Sequence, residues 1–533
     1  MSIAINPLWN VLINKQSDIA LCLLNDNCNL SFIDDNDDTP LILACKNKMD
    51  LVAIKILERI NECNIGQVNK DGNTALIWAC SNKMDDIAVK ILERIDECNI
   101  GQVSVNGNTA LIFACWNKME NVAMKILERI DECNIGQVNK DGFTALIWSC
   151  VNFMNSVAMK ILERIDECNI GQVNKDGNTA LIGACSNKMD DIAVKILERI
   201  GECNIGQVNN EYKNNALILS CYGKMENVAM KILKRTDECN IGNIGQDDCT
   251  ALIWACDNKM ENVAMKILER IDKCNIGQVS KDGNTALSLA CYNKMENVAM
   301  KILGRIDECN IGKVNIYGNT ALILACSNKM ENVAMKILER IDECNIGQVN
   351  NNGDTVLILA CYNNMENVAI KILERIDECN IGKVNDNDCT ALIFACSNKM
   401  EKVIIEIVKY TEDIDILNRI VNKDIKKNVL NSYINYQLNK EIKLLSDSDE
   451  LKKNIELNKE LKIKNKKLEK KLQKTNNCMC CDEITDQNIL MKKCFHGFTI
   501  CVECTNKLSK NNGQYKCPYC NCKTDIAKLY FMH

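Results

Sequence analysis

Between residues 39 and 410, apolar and polar positions alternate with two nested periods. The shorter is helical: in the stretch from Met84 to Ile95, the residues Ile87, Ile91, Leu92 and Ile95 fall three and four apart and make one apolar face. A second apolar run, Ala75 to Cys80, precedes it. The longer period is 35 residues. A Thr-Ala-Leu phrase, in most cases continued by Ile, begins at Thr74, Thr109, Thr144, Thr179, Thr250, Thr285, Thr320 and Thr390, with variants at Thr39, Asn215 and Thr355. Every step is 35 residues except Thr179 to Asn215, which is 36, the extra residue falling in the turn between Asn209 and Asn214.

Residues 69 to 103 display the physics of one unit. Asp71-Gly72 signals a turn in which Gly takes a positive φ, and Thr74 stands where it caps a short helix running to Asn82. A second helix follows, and Asn99-Ile100-Gly101 returns the chain to the next turn. Neither helix can bury its apolar face alone, so the unit is stabilised by stacking on copies of itself. The pattern predicts a mostly α chain built as a solenoid of eleven units over residues 39–410.

The Asp-Gly-x-Thr-x-Leu turn, the Ala-Cys pair and the helix-turn-helix order resemble the ankyrin repeat. Ala75 and Ile77 stand where that family usually has Pro and His, and the variant Thr39-Pro40-Leu41 keeps the proline. Residues 1–38 read as a degenerate N-terminal capping unit of two short helices, one over Leu8–Ile13 and one over Ile19–Leu24. The resemblance implies a protein-binding surface on the turn tips and the concave helix face. Repeat-to-repeat variation marks where to look. The residue before Ala-Cys runs through Trp78, Phe113, Trp148, Gly183 and Leu219 and reads as inner packing; the residue after it includes Trp116, Tyr222, Tyr292 and Tyr362, the expected partner contacts.

Composition changes this picture little. The formal charge of -6 over 533 residues creates no global field for nucleic acid or an anionic membrane, neither of which is an expected partner. No apolar run reaches the ~18 residues of a membrane span, and the N-terminal residues lack the layout of a signal peptide, so the expected location is cytoplasmic. The 34 cysteines are then expected to be reduced, and the 21 of them that recur at two fixed phases (Cys45, Cys80 and successors; Cys63, Cys98 and successors) read as small packing residues. With His496 and His533 the only histidines, a histidine-dependent hydrolase is excluded; no nucleotide loop or paired-carboxylate site appears.

After Tyr410 the period ends. Residues 411–447 keep helical spacing suited to a C-terminal cap, and 448–474 read as a basic helix. A heptad frame through Leu444, Leu451, Asn458, Asn465 and Leu472, with Leu461 and Leu468, makes it a candidate coiled coil and homodimer contact, against the alternative of a solvated spacer. Beyond it come four close pairs of soft donors: Cys478 and Cys481, Cys494 and His496, Cys501 and Cys504, Cys517 and Cys520. Eight thiolate and imidazole donors match two tetrahedral Zn2+ ions.

The order of the pairs over residues 478–522 resembles the RING finger, a small two-zinc α/β domain. That resemblance implies one ion on Cys478, Cys481, Cys501 and Cys504, and the other on Cys494, His496, Cys517 and Cys520. It also implies a ubiquitin-conjugating enzyme as partner, contacted through Cys480, Leu508, Pro518 and Asn521, and hence an E3 ubiquitin ligase whose solenoid recruits the substrate. Asn521 stands where active members often place Arg. The alternative is a non-catalytic adaptor whose zinc module is structural or dimerising. The pairing of the two modules resembles ankyrin-repeat proteins of large DNA viruses of amoebae, which would make the compartment the host cytoplasm.

Overall fold

The computed structural model describes residues 7–24 and 28–410, short helical pieces at 427–438 and 461–466, and the backbone of four three-residue strands between 488 and 525. The chain divides into two compact units, Met1–Cys309 and Asn310–His533.

In the first unit every repeat is a pair of antiparallel helices, and one repeat explains the rest. Thr74 has extended backbone and its hydroxyl accepts from the Ile77 N–H at 3.2 Å, so the first helix, Ala75–Ser81, starts where its N-cap dictates. The preceding turn is held by Asn69, whose side-chain oxygen accepts from the N–H groups of Asp71 and Asn73, while Gly72 takes φ +76°. The second helix is α-helical over Asp85–Ile91 and then tightens into a 3-10 turn over Leu92–Glu97, with Arg94 departing from helical angles. The apolar periodicity alone predicts uninterrupted helix to Ile95. The tightened turn instead brings Cys98 and Ile100 back into the core, where both are buried.

Leu76, Ile77, Ala79 and Cys80 of the first helix and Ile87, Ala88 and Ile91 of the second are buried, as are their counterparts in the flanking repeats. First helices pack on first helices and second on second. The N-terminal pair, Pro7–Ile13 and Ser17–Leu23, packs on the pair that begins at Pro40.

Three side-chain ladders tie neighbouring repeats. Asn117, at the end of a first helix, donates to the carbonyls of Cys80 and Ser81 at 2.7 and 3.0 Å, and Asn152 repeats the pattern on Cys115 and Trp116. Asn134 donates to the Gly101 carbonyl at 2.5 Å. Arg129 pairs with Asp96, Arg164 with Asp131, and Arg199 with Asp166 at 2.6 Å.

The second unit holds repeats of the same design, with helix pairs Ala321–Ser327 and Glu331–Ile337, Val356–Tyr362 and Glu366–Leu373, and Ala391–Ser397 and Glu401–Lys409. Beyond the last pair, the Tyr436 ring lies 5.8 Å from Tyr410 and Leu430 is buried, which bears on the expected cap; the rest of 411–447 lies outside the described residues. So does nearly all of the basic segment 448–474. Two antiparallel hairpins pair Asn488–Leu490 with Thr499–Cys501 and Gln514–Lys516 with Lys523–Asp525. Among the described residues no helix is long and apolar enough to cross a membrane.

Candidate protein-binding surface

The first helix of each repeat buries Ala, Leu, Ile and Cys, and this leaves two positions near its C-terminal end that the stack fixes less tightly. At the inner of these, the Leu residues at 219, 289, 324 and 359 and Gly183 are buried, whereas Trp78, Phe113, Trp148, Trp254 and Phe394 are half-buried. The larger rings therefore project beyond the packed layer. At the outer position, Trp116, Tyr222, Tyr292 and Tyr362 are 47, 52, 61 and 59% exposed, which makes all four accessible to a partner.

These four are not brought together. Each belongs to its own repeat, and three of them pair with the inner aromatic of the next: Trp116 with Trp148 at 6.2 Å, Tyr222 with Trp254 edge-on at 4.8 Å, Tyr362 with Phe394 edge-on at 5.0 Å. Such pairs hold each ring in one orientation before any partner arrives, which lowers the entropy lost on binding. Charge accompanies some of them. The Lys188 ammonium lies 5.8 Å from the Tyr222 ring and the Lys46 ammonium 5.8 Å from Trp78. Asp257, at the outer position of its repeat, has its carboxyl raised above the usual range by burial, with Lys224 opposing the shift.

One exposed aromatic was not singled out by the helix pattern. Phe153 occupies the left-handed position that follows the first helix, at φ +60°, and is 57% exposed. Lys83, Lys118 and Lys188 hold the same position elsewhere, so its signal lay in comparing the repeats position by position.

The recurrent cysteines cannot supply competing chemistry. Burial pushes the thiols of Cys98, Cys133 and Cys168 up to about 12 and those of Cys45, Cys115 and Cys185 higher still. Cys98 Sγ donates to the Ile95 carbonyl at 3.4 Å. A thiol so held has no thiolate with which to attack or to bind a metal at neutral pH. Among the described residues no group of His, Cys, Asp and Glu is placed to hold a metal ion.

The expected zinc ligands Cys478, Cys481, Cys494, His496, Cys504, Cys517 and Cys520, and the contact residues Cys480, Leu508, Pro518 and Asn521, lie outside the described residues; of Cys501 only the backbone is described.

Stacked helix pairs joined by hydrogen-bonded turns define a helical-repeat solenoid in each unit. The family model for ankyrin repeats matches the chain three times, at residues 50–135, 253–347 and 334–418, so ankyrin repeats are present here and the match stops short of the cysteine-rich segment. No curated protein matches the chain. Ankyrin repeats generally mediate protein–protein interaction, and the solenoid is a protein-binding scaffold in that sense.

Proposed function

We propose that the chain is an E3 ubiquitin ligase in which the repeats recruit a protein substrate and the C-terminal cysteine-rich segment engages a ubiquitin-charged conjugating enzyme. The observation that carries the catalytic half is the spacing of the eight donors from Cys478 to Cys520, four close pairs in the RING order. The donor set fits two Zn2+ ions: Cys478, Cys481, Cys501 and Cys504 would hold one, Cys494, His496, Cys517 and Cys520 the other. Zinc so bound supplies structure to a segment with little apolar core. The residues Leu508 and Pro518 would then offer an apolar seat to the conjugating enzyme, and the chain would act by proximity, holding the charged enzyme beside a target lysine.

Asn521 favours a second reading. Asn offers fewer donors than the Arg of active RING fingers and no charge; in this reading the segment only folds or dimerises, and the chain is a non-catalytic adaptor. Reconstitution separates the two. Full-length protein with ubiquitin, activating enzyme and a panel of conjugating enzymes is expected to ubiquitinate itself, and Cys494→Ser to abolish this. Absence of self-modification with every conjugating enzyme, unrescued by Asn521→Arg, leaves the adaptor. Metal analysis far from two zinc ions per chain would overturn the RING assignment itself.

A further inference from the structure

In an array of near-identical units each repeat is a control for its neighbours, because whatever the stack requires recurs at every period. Two adjacent repeats, those beginning at Thr109 and Thr144, depart together at exposed positions. The turn tip that reads Lys70-Asp71, Lys140-Asp141, Lys175-Asp176 and Lys281-Asp282 in four repeats reads Val105-Asn106 here, with Val105 55% exposed. The position after the first helix, otherwise Lys83, Lys118 or Lys188, is Phe153. The first turn of the second helix, which carries Asp85, Glu120 or Asp190 in the flanking repeats, carries Asn155.

The same two repeats carry a continuous row of rings. Phe143 stacks on Trp148 at 4.2 Å and 8°, Trp148 lies 6.2 Å from Trp116, and Trp116 lies 5.8 Å from Phe113. Phe153 adjoins the row through its chain neighbour Asn152, whose side chain donates to the Trp116 carbonyl at 3.0 Å. The stack does not need this arrangement. An aromatic side chain in left-handed backbone is sterically disfavoured, and the neighbouring repeats fold with lysine there.

The departures remove charge of both signs, so they leave the net field nearly unchanged and lower the hydration of the surface. Lysine and carboxylate groups resist being covered by apolar atoms, since each must give up water without a partner. A patch that has lost both signs at these positions, with Lys140 left at its edge on the Asn106 side chain at 3.3 Å, fits an occupant that brings no charge of its own. The aromatic pair Tyr222 and Trp254 contrasts with it, keeping Lys188 at 5.8 Å.

We infer that the Phe113–Phe153 patch seats an uncharged, apolar segment of a partner protein, anchored on Trp116 and Phe153; this rests on the reading that the repeats bind protein. The test pans short random peptides on full-length protein and compares three chains. One is wild type. One is Trp116→Ser/Phe153→Lys/Asn155→Glu, which installs the residues that stand at those positions as Ser81, Lys118 and Glu120. The third, Leu51→Ser, alters an accessible apolar residue on a second helix, outside the patch and outside the expected partner contacts. Wild type is expected to select peptides rich in aliphatic and aromatic residues and free of charge. Their affinity should fall about thirtyfold for the triple variant, the loss typical of removing interface anchors, and hold for Leu51→Ser. Phe153→Lys alone, a change at an exposed position, should show part of the loss with an unshifted melting temperature. Charged peptides, or peptides bound equally by wild type and triple variant, overturn the patch while leaving protein binding intact. If no chain selects peptides, both readings fall. A wild-type dimer that the triple variant renders monomeric makes a second copy the occupant and overturns the proposal.

Discussion

Two glycines of one unit are required for different physical reasons, and the difference is testable. Gly72 sits at φ +76°, where any side chain is strained, and the Asp-Gly pair announced it. Gly101 has no such φ. A Cβ there would overlap the backbone carbonyl oxygen of Glu132 in the next repeat, so the requirement is closeness of two chains 31 residues apart and was not legible from local sequence. Gly101→Ala is therefore expected to lower unfolding free energy by ~2–3 kcal/mol, the range for overpacking at a rigid contact, read from the denaturant midpoint. Lys118 gives the converse case. It holds φ +58° directly after a helix, a position that suits Gly. Lys118→Gly should raise stability by ~0.5–1 kcal/mol, relief of left-handed strain exceeding the added chain entropy. No change, or a loss, in the same titration would mean that the lysine contributes more than its backbone costs.

At the scale of elements, stability depends on the ladders between repeats, and in the first unit one junction lacks two of them. Gly223 replaces the Asn that elsewhere donates to the preceding first helix, and Gly201 replaces the Asp that would face Arg235, which pairs only with Glu238 in its own repeat. The 36-residue step falls at the same place. Among the described junctions of this unit no other lacks both bonds, so the boundary between the repeats beginning at Thr179 and Asn215 is expected to open first. Native-state hydrogen exchange should show amides of 183–187 and 216–223 exchanging at lower free energy than those of 110–116. Gly223→Asn should recover about 1 kcal/mol for the restored hydrogen bonds, after a shift of a few tenths of an ångström by Lys188, whose side chain is the flexible neighbour there. Gly201→Asp meets only the end of the Arg235 side chain and adds a smaller, salt-sensitive gain. The helix pairs and caps were legible because Thr74 and the three- and four-residue spacing are local signals. The 3-10 tail at Leu92–Glu97 was not, since it is set by where Cys98 and Ile100 must reach in the stack.

For the whole molecule, regularity itself has a consequence: 21 cysteines sit at two phases of the repeat, and the neutral thiol is the form the core accepts. Apart from Cys63 and Cys396, which are half-buried, their burial was legible from phase, as were the aromatic positions; that Trp116 leans on Trp148 and that Asn152 reaches the Trp116 carbonyl was not, because those contacts cross repeats. Burial holds Cys98, Cys133 and Cys168 at about 12, and Cys45, Cys115 and Cys185 above that. An unfolded thiol ionises near ~8.5. Above that pH the unfolded chain sheds protons that the folded chain retains, so the unfolded state binds fewer protons and stability falls as pH rises. The contribution is complete below ~8.5 and is lost progressively toward the folded values, at up to ~1.4 kcal/mol per thiol for each pH unit. A handful of thiols acting together then exceeds the ~5–15 kcal/mol that holds an ordinary domain. Under reducing conditions the repeats should melt at nearly constant temperature from about pH 6 to 8 and lose helical circular dichroism cooperatively between about pH 9 and 10, before most lysines neutralise near ~10.4. Cys133→Ala should lower stability at neutral pH yet make the alkaline slope shallower by one thiol's share. If the melting temperature is the same at pH 8 and pH 10, the buried thiols do not govern it.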